Sequence, residues 1–287
     1  MLKHLIGGAR RAYGLHPPGR DLDVFPDDVF LVSYPKSGNT WVRFLVANLA
    51  YPDRVVDFST INEVTPDPEA LSKRKLAVMP RPRIIKSHQY FDPRYPKVIC
   101  IVRDPRDVAL SNYHFGIKRR LIGEELPIEE YVSRFLRGQH SDHGYGAWGE
   151  NVGSWFYLRR KSPHFLLVTY ESLLSNTMEI MGSIAKFLNI DPDPKRLTRA
   201  IEQSTAERMR EMEKKQAHQW SSTTGTRLDK PFVRAAQAGG WREQLPHACI
   251  GAIESEWGEL MLDLGYSLVT GSAPTSVRRG RVEPESS

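Results

Sequence analysis

The segment Asp28-Val-Phe-Leu-Val-Ser-Tyr-Pro-Lys-Ser-Gly-Asn-Thr-Trp41 constrains the fold more than any other stretch of the chain. It opens on a short apolar run, the pattern of a strand buried on both faces. A Pro-Lys-Ser-Gly turn follows. Beyond it Trp41, Phe44, Leu45, Asn48 and Leu49 recur on one face at helical spacing. A strand, a turn and a helix in that order aim backbone N–H groups and the positive end of a helix dipole at one point. This is the architecture of an anion-binding loop. Gly38 lets the backbone approach a ligand closely, Lys36 adds a cation, and Ser37 and Thr40 add hydroxyl donors. Pro-Lys-Ser-Gly alone is equally compatible with an ordinary strand-to-helix turn.

The alternation continues downstream. Arg83–Lys86, Lys97–Val102 and Phe165–Thr169 are apolar runs of strand length. After the second of them, Asp104 is placed to cap a helix with Pro105 at its first position, and Val108, Leu110, Tyr113 and Ile117 continue at helical spacing. Helical patterns also cover 127–138, 149–161, 176–189, 193–215 and 247–264. Residues 51–82 suggest a loop-rich insertion and 216–240 a flexible lid. Strands alternating with helices predict an α/β fold, a single domain whose central parallel β-sheet is flanked by helices on both faces. The expected organisation is a basic N-terminal arm over 1–27, the domain over 28–270 and a disordered tail over 271–287.

Bulk properties narrow the function less. The 287 residues carry a formal charge of +6, which favours anionic ligands without choosing among them. Cys100 and Cys249 make neither a disulfide framework nor a zinc site, and Cys100 reads as a small core residue. No signal-peptide h-region and no apolar run near about 20 residues is present, so a cytoplasmic protein with no transmembrane segment is expected. His140 and His143 lack a third ligand at a convincing spacing and read as a polar loop, so no metal is expected. Basic segments at 73–86, 118–120 and 157–161 lack aromatic interleaving and read as solvated faces rather than a nucleic-acid surface. The 34–41 loop departs from the G-x-x-x-x-G-K-[ST] kind, and no strand-end Asp offers itself to magnesium. Both points weigh against a nucleotide or small-molecule kinase on the same fold, which stays as the alternative.

Taken together and in order, the motifs resemble the sulfotransferases that use 3′-phosphoadenosine 5′-phosphosulfate (PAPS), especially the cytosolic type and its bacterial relatives. Tyr34–Trp41 is similar to that family's 5′-phosphosulfate loop, and Ile84-Ile-Lys-Ser-His88 to its Lys-Thr-His element. Val102–Ser111 resembles its 3′-phosphate segment, Gly146-Ala-Trp148 with Val152 its Gly-Ser-Trp segment, and Thr169–Leu173 its Tyr-Glu-Asp segment. Pro231–Trp241 resembles its C-terminal nucleotide loop. The likeness spans about residues 28–242. It implies a five-stranded parallel sheet related to nucleotide kinases, and sulfuryl transfer from PAPS to a hydroxyl or amine, leaving 3′-phosphoadenosine 5′-phosphate (PAP).

The resemblance assigns His88 as general base. That position also follows from its place after a buried strand, since ligands of open α/β sheets bind at the strands' carboxyl ends. Lys36 is expected to stabilise charge growing on the bridging oxygen, with Lys86 in support. Lys36, Ser37, Gly38, Asn39 and Thr40 make the phosphosulfate loop. Arg103 and Ser111 resemble the family's 3′-phosphate ligands, with Arg234 as a further cation; an ion pair with Asp104, Asp107 or Glu171 is the competing role for Arg103. Arg106 reads as a solvated helix charge. Trp41 is a candidate to stack on adenine, competing with a core role; Tyr170 and Ser204 are candidates near the base.

Three departures stand out. Ala235 and Ala236 replace the usual Lys-Gly of the C-terminal loop, and Ala236 lacks glycine's freedom at positive φ. Ala206 falls where relatives place a second aromatic. The short dimer motif of cytosolic relatives is not evident beyond Arg242, which leaves the oligomeric state open. The acceptor, a small molecule or a glycan, is expected to be selected by loops at 52–82, 112–148 and 205–236. Tyr90, Phe91, Tyr113 and Phe115 are candidates to line its pocket, with core packing the competing role for Phe115.

Overall fold

A computed structural model describes residues 22–139, 144–220 and 223–271. Strand β1 (Val29–Ser33) leads through the 34–38 turn into α1 (Asn39–Ala50). The insertion carries two short helices, α2 (Ile61–Val64) and α3 (Lys73–Ala77). Then come β2 (Ile84–Ser87), β3 (Lys97–Val102), α4 (Pro105–Lys118), α5 (Ile128–Leu136), α6 (Trp148–Arg159) and β4 (Phe165–Thr169). The chain closes with α7 (Tyr170–Ser175), α8 (Thr177–Phe187), α9 (Pro194–Glu202), α10 (Ala206–Gln216), α11 (Trp241–Gln244) and α12 (His247–Asp263). The single helical pattern over 193–215 is two helices, because Thr205 caps a new one by accepting from Arg208 N–H. The 51–82 insertion is less loop-like than expected for the same reason, Ser72 capping α3.

The strands pair in parallel in the order β2-β1-β3-β4. The five-stranded sheet implied by the resemblance is therefore four-stranded among the described residues. Both faces are covered. Phe30, Val32, Ile85, Val98, Cys100 and Val102 face a core shared with α4, α5, α6 and α12. Their strand neighbours Val29, Leu31, Ile84, Ile99, Ile101 and Val168 face α1, α8 and α9. Period-2 side chains thus go into two cores, which is why the strands read as continuous apolar runs. Each fully buried Leu, Val or Phe contributes about 1.5–3 kcal/mol.

Helix α1 is buried around more of its surface than one stripe predicts. Leu45 and Leu49 face the sheet, while Phe44 and Ala47 enter a third cluster with Phe58, Met209 and Trp220. From Leu22 the chain packs into the main core, so the inner end of the expected arm is part of the domain. The rest of that arm, the tail from residue 272 and the His140–His143 loop lie outside the described residues.

This strand order sets where a ligand binds. β1 connects to β2 on one side, whereas β3 connects to β4 on the other. The crevice at such a reversal opens between the carboxyl ends of the two central strands. Here those ends lead into the 34–38 loop and Arg103.

Candidate active site

The loop after β1 is tight. Ser37 N–H donates to Tyr34 C=O at 3.2 Å, and Lys36 and Gly38 both take positive φ, 69° and 93°. Gly38 is required there on two counts. A side chain is strained at that φ, and a Cβ at Gly38 would lie 2.5 Å from Cδ2 of Tyr170. The Asn39 amide turns back under the loop and donates to Leu31 C=O and Ser33 Oγ at 3.0 and 3.1 Å.

Around the loop the structure brings together most of the residues expected from sequence. Arg103 donates through Nη1 to Lys36 C=O at 3.3 Å, and its guanidinium lies 4.4 Å over the Tyr170 ring. Trp41 meets Tyr170 edge-on at 5.8 Å and donates its indole N–H to Ser204 C=O at 3.0 Å. Trp41 is half-buried and packs against two of the core clusters as well as bordering the loop. The Ser204 hydroxyl is committed, donating to Ala200 C=O and accepting from Asn48 Nδ2, so it is the carbonyl of Ser204 that borders the loop. Lys36, Ser111 and Arg234 line one small cavity with Phe115 and Phe232. The Lys36 ammonium sits 3.9 Å from the Phe115 ring centroid and 4.3 Å from that of Phe232. Burial, reinforced by Arg103, lowers the Lys36 pKa to about 7.

His88 stands at the end of β2, beside the end of β1. Its Nδ1 lies 2.7 Å from Ser33 C=O. A carbonyl only accepts, so Nδ1 carries the proton and Nε2 is left with a free lone pair. Burial, with Lys86 nearby, lowers the His88 pKa to about 3, so the ring is neutral at pH 7. Asn151 Nδ2 donates to His88 C=O at 3.1 Å, and the Tyr145 ring meets the imidazole edge-on at 5.5 Å. Lys86 is held elsewhere: its Nζ donates to Asp67 Oδ2 at 2.6 Å, with both side chains mostly buried. Burial opposes ionisation of Asp67, but Lys86 and Arg43 outweigh it and lower its pKa.

Arg106 corrects the sequence reading. It is 1 % exposed, grips Asp104 through Nε and Nη2 at 2.9 and 2.7 Å, and reaches Glu254 on α12. A guanidinium in the first turn of a helix that packs under another element is drawn inward by the carboxylates at both ends of its reach. Arg103 has the competing ion-pair partner only in part, since Asp107 lies 3.8 Å away. Asp107 has another task that the sequence did not expose: it accepts from Gly239 N–H at 2.7 Å and Trp241 N–H at 3.1 Å, fixing the C-terminal loop to α4. Asp67, Asn151 and Glu213 were missed as well. Their partners are far along the chain, and the one available signal was the repeated Asp of Arg103-Asp-Pro-Arg-Asp107.

Three buried polar atoms cluster on this loop and the strand end facing it. Ser37 Oγ, Asn39 Oδ1 and Arg103 Nε have no hydrogen-bond partner among the described residues. Buried polar groups are normally satisfied, so the two unpaired groups here that can donate, the Ser37 hydroxyl and Arg103 Nε–H, fit a polyanionic ligand, whereas Asn39 Oδ1 is an acceptor and does not. No group of His, Cys, Asp and Glu suited to a metal occurs among the described residues, nor does a helix long and apolar enough to cross a membrane.

Comparison with known proteins agrees with this geometry. The model of the sulfotransferase domain matches residues 26–265, and the chain belongs to that family. It is a sulfotransferase, an enzyme of sulfuryl transfer, which sets aside the kinase alternative. It is 29% identical to sulfotransferase 1B1 of Canis lupus familiaris, over 76% of this chain and 77% of that one. It is 28% identical to sulfotransferase 2A1 of Macaca fascicularis, over 87% and 90%. Among solved structures, mouse sulfotransferase SULT7A1 complexed with PAP superposes with a TM-score of 0.68 at 23% identity, covering 84% of this chain and 85% of that one. Retinol dehydratase in complex with androsterone and inactive cofactor PAP gives 0.68 at 20%, covering 94% and 88%. Both share the fold.

Proposed function

We propose that the protein transfers the sulfuryl group of PAPS to a hydroxyl or amine of a small-molecule acceptor by in-line displacement, with His88 as general base. The observation that carries the proposal is the 2.7 Å approach of His88 Nδ1 to Ser33 C=O, from which its tautomer follows. Its Nδ1 proton is engaged by Ser33 C=O, which leaves Nε2 unprotonated at the carboxyl end of the sheet. The donor supplies an activated sulfuryl group on a phosphate leaving group. Ser37, Gly38, Asn39, Thr40 and Lys36 would hold its 5′ end. Arg103, Ser111 and Arg234 would hold the 3′-phosphate, and Trp41, Tyr170 and Ser204 would border the base. The unpaired Ser37 hydroxyl and Arg103 Nε–H support this set. So do the PAP-bound relatives of the same fold.

In this reading His88 Nε2 accepts the proton of the acceptor as its oxygen or nitrogen attacks sulfur. Lys36 stabilises the charge that passes to the leaving phosphate, which asks it to be protonated when the anion is in place. Lys86, tied to Asp67, acts on the same charge only at a distance or after exchanging partners. Positioning rather than covalent catalysis supplies most of the acceleration. The named relatives include a 3-beta-hydroxysteroid sulfotransferase of Cavia porcellus, 30% identical over 66% of this chain and 68% of that one, which makes hydroxysteroids sensible first acceptors. The test is transfer of radiolabelled sulfate from PAPS to a panel of phenols, hydroxysteroids, amines and oligosaccharides. A labelled product that His88→Ala abolishes is expected. Label transfer that survives His88→Ala undiminished would remove the histidine from the mechanism.

A further inference from the structure

Residues 227–235 form no helix or strand, yet their backbone is held in place by side chains. Arg227 N–H donates to Lys118 C=O at 2.9 Å, and Lys118 Nζ donates to the carbonyls of Arg227 and Lys230 at 3.1 and 2.5 Å. Glu213 then takes over. Its Oε1 accepts from Phe232 N–H at 2.6 Å and its Oε2 from Val233 N–H at 3.1 Å. Arg210 continues the series, donating to Val233 C=O at 3.1 Å and Arg234 C=O at 2.9 Å. Lys118 at the end of α4 and Glu213 in α10 also face each other at 3.4 Å, their side chains only 3% and 9% exposed.

A buried ion pair is a poor device for stability, since desolvation consumes much of the attraction. Two such charges spent on the backbone of one loop therefore point to placement rather than to added stability. What the loop delivers is specific. Phe232 sits over the Lys36 ammonium, meets Phe115 edge-on at 5.8 Å and packs on Trp220 at 4.6 Å. Arg234 lines the same cavity as Lys36 and Ser111. The exposed pairs of Arg227 with Glu124 and Asp229 on the outer side contribute little by comparison.

We infer that Lys118, Glu213 and Arg210 form a positioning rail, which sets the nucleotide affinity of the site by fixing Phe232 and Arg234 against Lys36. The inference rests on the nucleotide reading above. None of the three touches the ligand in this account; they act through the loop, and Glu213 and Lys118 also through their charges on Lys36.

The probe is PAP, titrated calorimetrically into wild type, Glu213→Gln and Arg210→Ala. Glu213→Gln keeps one acceptor but turns an amide N–H toward a backbone donor and leaves Lys118 without its counter-charge. A rise of at least tenfold in Kd for PAP is expected, and at least threefold for Arg210→Ala, whose side chain is half-buried and whose removal strands no buried charge. Amide exchange should accelerate over 227–235 while that of α4 is unchanged. In turnover of Arg210→Ala, KM for PAPS should rise with kcat largely preserved, a split that general loosening of the fold would not give, whereas Glu213→Gln also removes a charge that favours protonated Lys36 and should lower kcat as well. Should Glu213→Gln fail to fold, Arg210→Ala carries the same decision. PAP affinity within twofold of wild type in the folded variants overturns the rail alone, whereas a wild type that binds no PAP overturns the nucleotide reading and the rail together.

Discussion

The closest contact in the anion loop gives a prediction with two separable parts. Gly38→Ala places a methyl group at φ 93°, where an L-residue loses about 1–2 kcal/mol, and drives it to 2.5 and 2.9 Å from two Tyr170 ring atoms. Relieving that overlap moves a ring buried against Arg103 and Trp41, an overpacking change of about 1–3 kcal/mol. The sum is about 2–5 kcal/mol. Removing the ring separates the parts. In a Tyr170→Ala background the overlap is gone, and Gly38→Ala should lose only the backbone part, about 1–2 kcal/mol. Urea unfolding of the four proteins measures the cycle, with a coupling of about 1–3 kcal/mol expected. An equal loss from Gly38→Ala in both backgrounds would refute the claim that the tyrosine ring is what excludes a side chain at Gly38.

Three further outcomes follow from the site. With the His88 pKa lowered to about 3 by burial, kcat/KM should show no protonation limb near pH 6.5, and His88→Asn should lower kcat by about 100-fold or more while PAP binding stays close to wild type. The same shift has a sign for stability: between the unfolded value near 6.5 and about 3 the unfolded chain binds the extra proton, so His88 favours folding above that window and the benefit is lost as pH falls through it, a loss that His88→Asn should remove from the pH dependence of urea midpoints. Lys36, lowered to about 7, is mostly unprotonated at pH 8 in the free protein, and a bound polyanion would raise its pKa. Titration of PAP in two buffers of different ionisation enthalpy at pH 8 should therefore report net proton uptake, and Lys36→Met should abolish it. Ala236 has φ 53°, so Ala236→Gly should relieve backbone strain in the C-terminal loop and tighten PAP binding by a factor of about two to five.

Much of the architecture was legible because it rests on local signals. Continuous apolar runs on both sides of Tyr34–Trp41 announced a parallel sheet covered twice, and Asp104-Pro105 fixed the start of α4, where Asp104 accepts from Arg106 N–H. The positive φ demanded of Ala236 was also visible, from comparison with a glycine. What could not be read is long-range. Arg106 resembled any helix-surface arginine until α12 folded over it and brought Glu254 to its guanidinium. Lys86 shared a strand face with His88, but its charge is claimed by Asp67 from the insertion, whose course periodicity does not reveal. The 227–235 stretch was recognisable by composition as one without helix or strand, whereas the residues that hold it, Lys118, Glu213 and Arg210, belong to helices whose exposed-looking charges gave no sign of that role. The count of strands failed because it came from the resemblance rather than from the apolar runs, which number four in sequence and four in the described sheet.

The central claim is that the loop at 34–41 and the cation at 103 make a metal-independent site for an adenosine bisphosphate. Calorimetric titration with PAP, beside ATP with and without magnesium, tests it directly. Metal-free binding of PAP that Arg103→Ala weakens about 10- to 100-fold, the worth of one or two charge-assisted hydrogen bonds, is the predicted result. Absence of PAP binding, together with magnesium-dependent binding of ATP, would contradict the account.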